Sequence, residues 1–167
     1  LKPKRPLEVY GDLILNNSQF IIYENNSNSD TNSIKLKGSL FQSANNIITT
    51  VGKPFIQFNG NQTQTISLLG QISSSVSFKF DNPTEFILET NIPINQRASV
   101  EYCRGTFTGP GNFIFNSLRS SLYYKKTPIQ PQGKEWPINN GPTQVYINLS
   151  EGHRMPMPFS RTIDTLH

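Results

Sequence analysis

The sequence holds a single cysteine, Cys103, and two histidines, His153 and His167, in 167 residues. One thiol excludes an intramolecular disulfide, so the fold must hold by packing or by association. It also excludes a cysteine-based zinc site. Without a His-x-His or His-Glu-x-x-His spacing there is no pattern for a zinc enzyme, and no metal or cofactor is expected. Catalytic motifs are missing as well. There is no Gly-x-Ser-x-Gly elbow, and the glycines stand singly at turns rather than in a phosphate-cradling loop. A Ser-His-Asp triad would need one of the tail histidines to fold back. Glu85, Glu89 and Glu101 read as solvated strand charges rather than a glycosidase pair. Cys103 lies in an alternating stretch, Val100 to Arg104, and reads as an inert strand thiol. The expectation is a protein that is not an enzyme.

Charge is scarce too, at 16% of residues, with a net value of +4. A small excess of that kind is ordinary solubility charge. The cations gather at Lys2, Lys4 and Arg5 and again at Lys125-Lys126, but without a nucleic-acid-binding pattern around them, and nucleic acid is not an expected partner. No apolar run approaches the roughly 18 residues that a membrane span needs. Sequons stand at Asn16, Asn25, Asn61 and Asn148. In so Asn-rich a chain they carry little weight.

What fills the chain is neutral polarity. The apolar fraction is 35% and the mean hydropathy −0.43, with Asn, Ser, Thr and Gln making up the balance. These side chains compete for helical backbone groups and favour extended structure and turns. Eleven Phe and six Tyr supply enough bulk for a core.

The central stretch, Lys53 to Phe80, sets the pattern. Phe55 to Phe58 is followed by Asn59-Gly60, the strongest short hairpin signal. Ile66 and Leu68 then alternate with Thr65 and Ser67. From Ile72 to Phe80, Ile72, Ser74, Val76, Phe78 and Phe80 share one face of a single expected strand, with Ser73, Ser75, Ser77 and Lys79 on the other. Asp81-Asn82-Pro83-Thr84 ends it. Further strands are expected at 7–10, 12–15, 19–23, 33–37, 40–41, 47–51, 84–90, 98–107, 112–115 and 143–149. About ten short strands with turn signals between them predict an all-β, antiparallel β-sandwich or jelly-roll-like domain with extended terminal arms. A β-solenoid is the alternative. Its basis is a loose likeness between Gly38–Ser43 and Leu69–Ser74, without a sustained period.

Three regions follow: a basic extended arm at 1–6, one β domain at 7–150, and an extended tail at 151–167. Thr127 to Pro142 is a proline- and glycine-rich loop around Trp136. With Tyr123 and Tyr124, Trp136 is a candidate stacking platform for a glycan. The bland alternative is that its ring pins the loop onto the core. In the tail, Met155, Met157 and Phe159 share one parity and Pro156 and Pro158 the other. Such a strand is silenced along one edge and free to dock along the other. These features favour a non-enzymatic assembly subunit, a capsid or other virion structural protein forming homo-oligomers or joining other structural subunits. The alternative is an extracellular carbohydrate- or ligand-binding module.

Overall fold

The computed structural model describes residues 6–24, 32–72, 75–117, 119–125, 133–148 and 165–166. The chain is all-β, and every strand pair among the described residues is parallel. The antiparallel sandwich or jelly roll expected from strand spacing is therefore absent. The molecule is a β-solenoid of about five complete turns.

Each turn lays one strand on each of three faces. The first turn consists of β1 (Leu7–Val9), β2 (Leu13–Leu15) and β3 (Gln19–Tyr23), and the second of β4 (Asn32–Leu36), β5 (Leu40–Gln42) and β6 (Ile47–Val51). The third is β7 (Phe55–Phe58), β8 (Gln64–Leu68) and β9 (Gln71–Ile72). In the fourth and fifth turns one bent strand covers the first two faces. These are β10 (Ser77–Leu88) with β11 (Ile92–Ile94), then β12 (Ser99–Thr108) with β13 (Phe113–Phe115). Three more strands, β14 (Ser121–Tyr124), β15 (Gln144–Ile147) and β16 (Thr165–Leu166), extend the first face alone.

The register contains a repeat. Ile34, Ile56, Phe78, Val100 and Leu122 lie side by side along the first face, at positions 22 residues apart. Leu36, Phe58, Phe80, Tyr102 and Tyr124 form the next inward row at the same interval. Alternation puts these rows in the core and turns Lys35, Gln57, Lys79, Glu101 and Tyr123 to the opposite side, where Gln57 is nevertheless buried. Phe80 sits at the centre of the interior. Its ring lies 5.2 Å from Phe58, 5.0 Å from both Phe86 and Phe107, and 5.4 Å from Phe113. Burying each such ring contributes roughly 1.5–3 kcal/mol.

The corners explain the amide-rich composition. Asn59-Gly60 is no hairpin: β7 pairs with β4 and β10, never with β8. It is the bend from the first face to the second, and neither residue has a positive φ there. Gln64 is fully buried inside this bend. Its Nε2 donates to the carbonyls of Leu36 (3.0 Å) and Gly38 (2.5 Å), while its Oε1 accepts from Gly60 N–H (3.1 Å) and Asn82 Nδ2 (2.9 Å). One side chain thus ties three successive turns. At the next corner Gln42 Nε2 donates to the Asn46 and Gln71 carbonyls, and Asn46 Nδ2 donates to the Ser18 carbonyl. Buried amides stacked turn over turn satisfy backbone groups that a bend would otherwise orphan. The expected strand from Ile72 to Phe80 is likewise interrupted by a corner, with Ile72 ending one face and Ser77 opening the next. At 81–84 the chain bends within β10, and the pairing shifts register there instead of ending.

Candidate functional site

Beyond the fifth turn the chain leaves the first face at Tyr124 and returns at Gln144. Residues 133–140 of that excursion lie over the end of the solenoid. Lys134 Nζ donates to the carbonyls of Gly109 (2.6 Å) and Gly111 (3.0 Å), and the Asn140 carbonyl accepts from Phe115 N–H (2.9 Å). Glu135 is buried beneath, with Tyr124 Oη donating to its Oε1 at 3.2 Å. Trp136 is 4% exposed and belongs to the core.

Between this cap and the outer side of β13 lies a cleft of about 440 Å³. Its floor is Ile114, which faces outward between the buried Phe113 and Phe115. Asn112 stands at one side and Gly133, Lys134, Pro137, Ile138, Asn139 and Asn140 at the other. The wall is held from both ends. Asn140 has a φ of 55°, a left-handed conformation that Asn tolerates better than most residues, and this turns its carbonyl onto β13. Asn112 is fixed through its backbone, its N–H donating to Asn91 Oδ1 (3.0 Å) and its carbonyl accepting from Ile92 N–H (2.9 Å). The cleft offers three amide side chains, each able to donate and accept, beside an apolar side of Ile114, Pro137 and Ile138. The Lys134 ammonium is directed at the two glycine carbonyls.

The aromatic residues grouped in the sequence point different ways. Trp136 and Tyr124 are interior, whereas Tyr123 lies on the outer surface. There its ring stacks on Tyr146 at 4.4 Å and 7°, and Lys125 Nζ lies 5.3 Å from its centroid. Glu101 joins the same surface, paired with Lys125 (3.0 Å) and Lys79 (3.7 Å). Burial, followed by the neighbouring Tyr146 phenol, raises the Tyr123 pKa above its ordinary value. With Tyr146 against the Tyr123 ring and an ammonium over it, this row reads as a surface ladder more than a platform. The basic arm residues Lys2, Lys4 and Arg5 and the tail residues Met155, Pro156, Met157, Pro158 and Phe159 lie outside the described residues.

Sequence reasoning missed Asn112, Asn139 and Asn140. Two of them stand in the run Asn139-Asn140-Gly141, next to Pro137 in the loop that attention to Trp136 had already marked. Among the described residues, no group of three or more His, Cys, Asp or Glu side chains is placed to hold a metal ion, and no helix is long and apolar enough to cross a membrane. No family model, curated protein or solved structure matches the chain.

Proposed function

We propose that the chain is a non-catalytic binding module whose ligand is a short, neutral, hydroxyl-rich molecule, an oligosaccharide being the best-fitting class. The observation that carries this reading is the cleft. Its 440 Å³ falls within the range of small-ligand sites, and its lining combines three amides with an apolar side of Ile114, Pro137 and Ile138. Amides bridge adjacent hydroxyls by donating to one and accepting from the next, and aliphatic side chains receive the C–H face of a sugar ring. Carboxylate, imidazole and thiol groups are not part of the lining, which favours binding over acid–base or nucleophilic chemistry. An extracellular or virion-surface setting accords with this reading.

A glycan array probed with the full chain, followed by calorimetry on the strongest ligand, tests it. Asn112→Ala and Asn139→Ala should each weaken binding about tenfold while leaving the circular dichroism spectrum unchanged. An array without hits, or binding indifferent to both substitutions, would overturn the assignment.

Assembly is the second reading. Its virion form drew on a jelly-roll architecture that the chain does not have. What supports assembly is the exposed apolar side chains of the first turn, Leu7, Ile14 and Ile21.

A further inference from the structure

Along the solenoid axis the cleft is walled on one side and continues on the other. In β13, alternate residues turn their N–H and C=O groups to opposite edges. The Asn112 carbonyl accepts from Ile92 N–H, and Asn116 N–H donates to the Ile94 carbonyl, so this edge faces β11. Phe115 N–H lies on the opposite edge and donates to the Asn140 carbonyl. Asn140 thus stands one step past β13 on the third face, within the wall that residues 133–140 give the cleft. On the other side the neighbouring strand is β11, whose Pro93 lies in register with the floor residue Ile114. The lining recurs there. The pair Asn112 and Ile114 is answered, 21 residues earlier, by Asn91 and Pro93. The two strands are locked on both flanks, Asn112 N–H donating to Asn91 Oδ1 (3.0 Å) and Asn116 Nδ2 to Asn95 Oδ1 (3.3 Å). Asn91 is exposed, and its Nδ2 has no partner among the described residues.

We propose that the ligand is the end of a linear, unbranched, neutral glycan lying along the solenoid axis, with one ring over Ile114 and a following ring over Pro93. This rests on the binding reading of the cleft and adds a second subsite to it. Three observations favour an axial chain over a compact sugar. The wall at 133–140 blocks extension past β13, so a longer ligand leaves the cleft over β11. An axial course also meets the same pair twice, an amide beside an apolar side chain, whereas a course along β13 meets different side chains at each step. Spacing is the third. Neighbouring strands are about 4.8 Å apart, close to the advance of one ring in an extended β-1,4-linked chain. At the second subsite the Asn91 Nδ2 donates to a hydroxyl while its Oδ1 stays on Asn112 N–H, and the Pro93 ring receives a C–H face.

Calorimetry of the full chain with graded oligomers of β-1,4-glucan, β-1,4-mannan and β-1,4-xylan, one to six rings long, tests this. In the series that binds, affinity should rise about tenfold between the single ring and the longer oligomers and then level off. Asn91→Asp keeps the acceptor for Asn112 N–H but loses the donor, and Pro93→Ser removes the apolar step. Each should cut the gain from length, whereas Asn112→Ala should weaken every oligomer. Circular dichroism checks the fold of each variant. If either disturbs it, the length series on the parent chain decides alone. Binding that does not change with length, or a gain that survives both Asn91→Asp and Pro93→Ser in folded protein, would overturn the second subsite and leave the cleft reading standing. No binding by any oligomer would overturn both.

Discussion

The Phe80 ring lies flat against that of Phe58, centroids 5.2 Å apart and planes within 6°, although 22 residues separate them. They occupy equivalent places in neighbouring turns, Phe80 pairing in register with Phe58. Phe86, Phe107 and Phe113 then close around Phe80 edge-on. Phe80→Ala should therefore destabilise the protein by about 3–5 kcal/mol, as expected for a large cavity in a core with little room to collapse. Urea unfolding followed by circular dichroism would measure it, and Phe80→Leu should cost distinctly less.

Asn82 is a second point of concentrated stability, through polar contacts. Fully buried, it donates to the Gln62 carbonyl (2.6 Å) and Gln64 Oε1 (2.9 Å) and accepts from Thr84 N–H (2.9 Å) and Oγ1 (2.8 Å). Asn82→Ala strands these partners in a dry corner and should cost roughly 2–3 kcal/mol. Asn82→Asp should be at least as costly, because a carboxylate cannot donate to the two oxygens. Denaturant midpoints of the two variants provide the check.

Gly105 and Gly11 should respond oppositely to the same change. Gly105 has a φ of 106°, and a Cβ there would meet the Asn82 carbonyl oxygen at 2.6 Å and the Phe86 ring at 2.7 Å. Nothing lies within 4 Å of a Cβ at Gly11. Gly105→Ala should lose roughly 1–3 kcal/mol, whereas Gly11→Ala should be neutral or slightly stabilising. Paired thermal melts would separate them.

Alkaline pH should weaken the fold through Tyr102. Burial first, and the nearby Glu135 charge second, raise its pKa above the ordinary value of 10.0. In the unfolded chain the phenol ionises near that ordinary value, while in the folded chain it stays neutral. The stability it contributes is therefore complete below pH 10.0 and falls as pH rises beyond that point. Tyr102→Phe also removes the hydroxyl that donates to the Gly105 carbonyl. It should lower stability at neutral pH and flatten the alkaline limb of a stability–pH curve.

Much of this architecture was readable locally. Alternation alone places Phe78 and Phe80 inward and Lys79 outward, and most strand positions follow from it. Pairing is a different matter, because it depends on which strands become neighbours. Asn59-Gly60 suits a hairpin and also suits a solenoid corner, and only the fate of β7 and β8 separates the two. The 22-residue repeat is hidden because its positions conserve direction rather than identity: Ile34, Ile56, Phe78, Val100 and Leu122 share only inward burial. The second face obscures it further, since Leu40 pairs with Ile66 but Ile66 pairs with Leu88, giving intervals of 26 and 22. The two segments that had looked alike, starting at Gly38 and Leu69, begin at different corners of the triangle. The cleft was less legible still. Asn112 and Asn139 are far apart in sequence and meet only because the cap folds back over β13.

The 22-residue spacing from Ile34 to Leu122 also makes this molecule a ruler. Each turn advances the structure by one strand separation, about 4.8 Å. A duplication or deletion of one whole turn in this region changes its reach by that step and leaves the cross-section intact. An odd number of residues gained or lost within a strand reverses the side chains that follow on that face unless a bulge absorbs it, as the register shifts at 81–85 do. Turns of other lengths occur where the corners take up the difference, as in the 26-residue interval from Leu40 to Ile66.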